Sequence, residues 1–431
     1  MDKNSQCLVV QRRDADPERA PDSHNKYNQR IHLERNVDSN YLSAEQAAKS
    51  LNVSLQTLYA YVSRKGVRSL PIPGTRKRRY WKADIERLRD KKLPAPITPG
   101  PLKHESEITL LTGSDVFYRG RNAVELAENS SFESVAALLW GFKEEEVFGK
   151  VPPKIPPLFK QMDKLLAKES EINRATALFT LLEQANPKAY DLSALGMART
   201  GVDILRCLAA ITLRTSKVTA EPLHLFVARN RELSLPLGDL VRRLLILSAD
   251  HAFEPGAVAV RTVASAGVTP WRSLISGFSV TLGRRGRMGG FEAIQRFVAE
   301  IVVCSDPYAM VVGRIRDGEP LPGFDSYTTA TVHPTGDPRA RALFQYCGAI
   351  LARDPAFARL KEVAAAVKEI KGVDPSFALL CVFVGWKIGL HPQDSLFHLG
   401  RAAGWVAHAI EQYQAGEIYR QPETYQGALP V

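Results

Sequence analysis

The sequence predicts a mainly α-helical protein carrying a small separate unit near its N-terminal end. Three observations predict it. Amphipathic spacing of the 3.6-residue kind dominates from about residue 104 to 431. The stretch from Leu93 to Leu102 holds four prolines and a glycine, a stiff linker between domains. Charge is also uneven. Residues 1–40 hold seven Lys/Arg and seven Asp/Glu, whereas residues 41–92 hold thirteen against four, a net +9 out of +11 for the whole chain.

In chain order, residues 1–40 lack periodicity and are expected to be a disordered arm. Residues 41–92 form a compact unit. Ser43-Ala-Glu-Gln46 has the spacing of a capping box and opens a short helix with Ala47, Ala48 and Leu51 inward. Asn52-Val53 makes a tight turn. Ser54 caps a second helix with Leu55, Leu58, Tyr59 and Val62 on one face, ending near Gly66. A hairpin follows from Leu70 to Trp81 with Gly74-Thr75 at its tip, then a third helix from Lys82 to Lys92. Residues 93–103 are the linker. In the domain at 104–431, Ser130-Ser-Phe-Glu133 has the form of another capping box. Amphipathic stretches run near 158–168, 174–184, 202–215, 238–250, 271–282, 291–303, 340–352, 358–370, 376–389 and 395–414.

Composition narrows the class. A chain of 431 residues with 45% hydrophobic and 24% charged residues suffices for two or three globular domains. The cysteines at 7, 207, 304, 347 and 381 are odd in number and show no metal or redox spacing, so free thiols and no metal site are expected. No signal-like stretch opens the chain, and the longest apolar run, from Phe377 to Trp386, is about half a membrane span. A cytoplasmic location without membrane contact follows as the expectation.

The excess positive charge in residues 41–92 points to a polyanionic partner for that segment. Two short helices, a tight turn and a basic hairpin resemble the winged helix-turn-helix of the MerR/excisionase type. The resemblance implies DNA binding. Gln56, Thr57, Tyr61 and Arg64 would face the major groove, and Arg76, Lys77, Arg78 and Arg79 the phosphate backbone. A basic hairpin on a protein-interaction domain is the alternative.

The C-terminal half carries the chemistry. Gly400-Arg-Ala-Ala-Gly-Trp405, Asp337-Pro-Arg339 and Val373-Asp374 place two arginines and a carboxylate in segments that suit a multiply charged acid. The order of these segments, with Ile108-Thr-Leu-Leu-Thr-Gly, Phe117-Tyr-Arg-Gly and Leu139-Trp-Gly141 upstream, resembles the citrate synthase family. The resemblance runs to Gly427. It implies an all-helical fold with large and small subdomains, a homodimer, and oxaloacetate and acyl-CoA as ligands with no tightly bound cofactor. In that family an aspartate takes a methyl proton from acetyl-CoA while one histidine stabilises the enol and another polarises oxaloacetate. By resemblance Asp374 is the base. His251, ten residues before Arg261, binds oxaloacetate with Arg339, Arg401 and Arg420, the last reaching a neighbouring subunit's site.

Two catalytic histidines of the family pattern do not align. Met288 stands at the enol-stabilising position, and a thioether donates no hydrogen bond. Arg284, Arg285 and Arg287 crowd that loop. Ser326 stands at the carbonyl-polarising position, although His333, six residues before Arg339, offers a replacement in a rebuilt loop. The expectation is a citrate synthase-like protein that binds an oxo-acid or acyl-CoA with weak or no turnover and acts as a metabolite-responsive DNA-binding protein. The alternative is an active citrate or 2-methylcitrate synthase condensing acetyl-CoA or propionyl-CoA with oxaloacetate.

Overall fold

The computed structural model describes residues 41–64, 67–90, 105–283, 290–324, 332–333 and 336–419. They fall into two compact units, one built on residues 41–90 and the other on 105–419. The expected arm and linker lie outside the described residues.

In the small unit Ser43 caps the helix Ala44–Leu51. Its hydroxyl accepts from the Gln46 amide, and the Gln46 side chain accepts from the Ser43 amide. Asn52 ends that helix in the left-handed region at φ 50°. The Ser54 hydroxyl then accepts from the amide of Thr57 in the helix Leu55–Arg64. Three short antiparallel strands follow the order Tyr41–Leu42, Arg78–Trp81, Ser69–Pro71, and the helix Lys82–Asp90 follows the sheet directly. Ala47, Ala48, Leu51, Leu58, Val67, Tyr80 and Ile85 make the core. Arg68 grips Asp84 through Nε and Nη2 at 2.9 and 3.0 Å, tying the sheet to the last helix. One expectation fails here: Leu55 and Tyr59 are exposed, and the helix meets the core through the buried Leu58 with Tyr61 and Val62 packed partly against it.

The large unit opens with a three-stranded antiparallel sheet, Thr109–Leu111, Val116–Tyr118 and Arg121–Asn122. All the rest of its described regular structure is helical. Among the described residues, six of its helices begin on proline: Pro157–Leu165, Pro255–Ala264, Pro270–Thr281, Pro307–Arg316, Pro338–Ile350 and Pro355–Lys371. Proline suits the first helical turn, whose amide has no intrahelical acceptor. At the centre runs Leu396–Ala415, in which every residue from His398 to Ile410 is buried. It packs against Phe132–Trp140, Ala194–Thr212, Leu235–Ser248, Pro255–Ala264 and Pro270–Thr281.

The Gly-Arg-Ala-Ala-Gly-Trp segment explains how that packing is possible. A Cβ on Gly400 would stand 2.6 Å from the Leu245 carbonyl oxygen, and one on Gly404 would stand 2.3 Å from that of Ala249. The two glycines, one turn apart, therefore seat the central helix directly on the end of Leu235–Ser248. Trp405 lies over two further glycines, with Cβ positions on Gly256 and Gly277 only 2.9 and 3.0 Å from its ring.

The capping box expected at Ser130 is shifted by one residue. Ser131 caps Phe132–Trp140, and the buried Glu133 accepts instead from the Leu223 amide, at the start of Leu223–Asn230. Among the described helices, Ala123–Asn129, Leu223–Asn230, Pro255–Ala264 and Pro307–Arg316 had no expected amphipathic stretch.

Candidate functional site

Three segments bring polar side chains into the interior of the large unit. The first is the turn after Leu235–Ser248. Asp250 Oδ2 accepts from the Ala252 amide at 2.8 Å, and Ala252 takes φ 53°, which reverses the chain and presents His251. Tyr118 is fully buried with its hydroxyl within reach of the Ile246, Leu247 and Asp250 carbonyls, so it covers the end of that helix. The second segment is the start of Pro338–Ile350, where Asp337 is the N-cap and accepts from the Arg339 amide. The third is Arg401 on the central helix. Its Nε donates to the Ser248 carbonyl at 2.9 Å, and its Nη1 stands 3.7 Å from Glu254 Oε1. Glu254 in turn caps Pro255–Ala264 and accepts from Trp405 Nε1 at 2.8 Å.

The convergence is close. His251 Nε2 and His333 Nε2 are 3.2 Å apart, and both rings are buried. Arg339 lies over the Phe377 ring at 4.7 Å and holds Asp337 through Nε and Nη2, at 3.1 and 2.7 Å. Its Nη1 is buried with no hydrogen-bond partner among the described residues. Arg339 and Arg401 both act electrostatically on Tyr118 and on Cys381, so the two guanidinium groups share one neighbourhood. Burial pushes that phenol and that thiol each up to about 12, so neither supplies the arginines with a counter-charge at neutral pH.

Two carboxylates are held ionised against their burial. Desolvation opposes the charge on Asp337, but Arg339 overrides it and the carboxyl falls to about 2, with His333 adding to the effect. Asp250 follows the same logic: burial raises it, His408 and Arg401 outweigh the burial, and it too falls to about 2. His408 sits 3.2 Å from Asp250 and accepts from Arg261 Nε at 3.1 Å.

Asp374 is placed differently. It is half-exposed and paired with Lys368 at 2.9 Å. With Pro375 it lines a cavity of about 300 Å³ whose other walls include Asp337, Ala340, Phe344 and Lys361. Asp337 thus borders both this cavity and the histidine pair. The sequence reading assigned no role to Asp337, Glu254 or Tyr118. The Asp-Pro and Glu-Pro pairs, each a capping residue before a proline, are the signal that could have marked the first two.

Residues 100–422 match the family model described as "Citrate synthase, C-terminal domain". The chain belongs to the citrate synthase family. "Citrate synthase 2" of Bacillus subtilis is 23% identical over 363 residues, covering 76% of this chain and 94% of that protein. "2-methylcitrate synthase" of Shewanella oneidensis is 23% identical, covering 74% of this chain and 91% of its own length. Among solved structures, citrate synthase from Pyrobaculum aerophilum superposes with a TM-score of 0.63 at 19% identity, covering 85% of this chain and 96% of its own. The ternary complex of Thermoplasma acidophilum citrate synthase with carboxymethyl coenzyme A and oxaloacetate superposes at 0.62 and 18% identity, covering 76% and 95%. The citrate synthase-like fold is thereby shown.

Within this family member, Met288, Ser326 and Arg420 lie outside the described residues, as do Arg284, Arg285 and Arg287. In the small unit, Gln56, Arg76, Lys77 and Arg78 are exposed, and Thr57 and Arg79 are half-buried. Tyr61 packs partly against the core of its unit, and Arg78 turns back to donate to Ser69 Oγ at 3.0 Å. Among the described residues no helix is long and apolar enough to cross a membrane, and Cys207, Cys304, Cys347 and Cys381 are free.

The depressed carboxyls predict an acid limit. Folded values of about 2 lie below the ordinary value of 3.8, so their stabilisation is complete above about pH 5 and lost as pH falls towards 2. Each group is expected to withdraw roughly 2 kcal/mol over that window. Urea midpoints from pH 6 to pH 3 check it, and a midpoint flat down to pH 3 contradicts it.

Proposed function

We propose that this protein binds a 2-oxo dicarboxylate between His251, His333, Arg339 and Arg401, admits an acyl-CoA beside Asp374, and condenses them weakly or not at all. It acts instead as a homodimeric, metabolite-responsive DNA-binding protein through a winged helix-turn-helix at residues 41–92. The observation that carries the ligand is the buried Arg339 Nη1, which has no partner among the described residues; His333 acts on the same Asp337 that Arg339 holds, and Arg401 acts on the same Tyr118 and Cys381. A carboxylate satisfies that donor. Without one, the buried group costs about 1–3 kcal/mol.

Weak turnover rests on Met288. The enolate oxygen needs a donor, and loss of one such donor costs about 10²–10³ in rate. Family relatives whose names state citrate or 2-methylcitrate synthesis support oxaloacetate and a short acyl-CoA as the ligands to try. DNA binding is supported by the +9 charge of residues 41–92 and by the exposed Arg76, Lys77 and Arg78.

The test has two arms. Thiol release from acetyl-CoA or propionyl-CoA with oxaloacetate is expected to be absent, or at least about 100-fold below that of a family member with the histidine. Retention on DNA is expected at moderate salt, to weaken steeply as salt rises, and to change with oxaloacetate. No sequence-preferring retention sinks the DNA reading. The second reading, an active synthase, is favoured by His333 standing 3.2 Å from His251, where it could polarise a bound carbonyl. On that reading wild type releases thiol at a family-like rate and Asp374→Asn loses it.

A further inference from the structure

We propose that Leu55, Gln56 and Tyr59 are the base-reading face of the small unit and select a half-site of adenine flanked by thymines in the major groove of duplex DNA. The inference rests on the proposed DNA binding of residues 41–92 and adds the sequence chemistry that they recognise. The helix Leu55–Arg64 turns one side to its core, where Leu58 is fully buried and Tyr61 and Val62 pack partly against it. Leu55 and Tyr59 are 41% and 53% exposed, and Gln56 is exposed beside them. At 3.6 residues per turn these three fall within about 100° of one face. They also sit in the first half of the helix, whose side chains reach base edges when a recognition helix enters the major groove. Thr57 and Tyr61 lie off this stripe, and the Thr57 hydroxyl is engaged with that of Ser54 at 2.9 Å.

The chemistry of the stripe decides what it reads. In the major groove the thymine 5-methyl is the apolar feature, and a glutamine amide pairs with N6 and N7 of adenine. Leu55 and Tyr59 are one turn apart, about 6 Å along the axis, which spans about two base steps. Charge sets the same surface against a polyanion. Tyr59 and Arg78 both act electrostatically on Tyr80, so the exposed ring and the basic hairpin share one neighbourhood. With Arg76, Lys77 and Arg78 exposed on that hairpin and a net +9 on residues 41–92, phosphates are the fitting partner for the hairpin. Phosphate contacts position the duplex and leave the base edges to the stripe.

Selection from a pool of randomised duplexes by the full-length protein tests the readout. The retained duplexes are expected to share an adenine flanked by thymines. Replacing those thymines with deoxyuridine removes only the 5-methyl groups. At fixed salt it is expected to weaken binding by about 4-fold for each methyl in contact. That arm needs no protein variant, so a fold defect cannot imitate its result. In the Leu55→Ser, Tyr59→Ser double variant the same replacement is expected to have no further effect, and Gln56→Ala is expected to relax the choice of adenine by about 5-fold or more. A shared site without thymine, full affinity for the deoxyuridine duplex, or equal sensitivity in wild type and the double variant overturns the methyl readout while leaving DNA binding intact. Such a result would assign the apolar edge to a protein contact. No sequence-preferring retention at all overturns the DNA reading and this inference together.

Discussion

Alanine at Gly404 is expected to lower the stability of the large unit by about 3 kcal/mol, the upper end of overpacking costs. The added methyl would stand 2.3 Å from the Ala249 carbonyl oxygen and 2.4 Å from Asp250 Oδ1. Neither atom can yield. The Ala249 carbonyl accepts from the Gly404 amide at 3.0 Å, and the Asp250 carboxylate is fixed by the Ala252 amide and by His408. The central helix would have to lift away from Leu235–Ser248, displacing the turn that carries His251. Urea unfolding reads the stability loss, and oxaloacetate affinity is expected to fall in the fraction that remains folded. Gly313→Ala is the matched control. It lies inside a helix with open space around it, so alanine there is expected to stabilise by about 0.5–1 kcal/mol. Equal losses at both positions would remove the close-approach argument.

The same segment shows how much of the fold could be read in advance. Gly400-Arg-Ala-Ala-Gly-Trp405 was informative because an arginine beside a glycine and a tryptophan is not needed for ordinary helix burial. Read along the chain, it pointed to an anion site. In three dimensions Arg401 is buried against the Ser248 carbonyl and Glu254, and the glycines and tryptophan serve the packing of helix on helix. Long amphipathic helices such as Pro355–Lys371 were legible because their apolar stripe is set locally by periodicity. Pro255–Ala264 was not. Glu254 and Pro255 are a helix start, and the small residues that follow make room for Trp405 rather than showing an amphipathic stripe. Leu55 and Tyr59 had helical spacing but stand exposed, and their helix meets the core through Leu58 instead. The position of His333 beside His251 depends on the path of the chain before Pro338–Ile350, and periodicity carries no information about that.

Methionine at Arg339 tests the centre of the site. The substitution keeps the apolar stem over Phe377 but removes the two side-chain bonds to Asp337, leaving a buried carboxylate without its cation. Breaking one side of a buried pair costs about 3–5 kcal/mol, and that loss is expected at neutral pH. It should shrink as pH falls, because the Asp337 carboxyl then titrates closer to its ordinary range. Adding Asp337→Asn removes the orphaned charge while keeping a residue that caps Pro338–Ile350 well, so the double variant is expected to recover most of the stability. Ligand affinity should behave differently. The donor offered to a bound carboxylate is Arg339 Nη1, and a charged hydrogen bond of this kind contributes about 1.5–3 kcal/mol. Oxaloacetate binding is therefore expected to weaken by about 10- to 100-fold in the single variant and to stay weak in the double. Recovery of both stability and affinity in the double variant would reduce Arg339 to a structural partner of Asp337. Recovery of stability alone assigns the guanidinium two separable tasks, one for the fold through Nε and Nη2 and one for the ligand through Nη1.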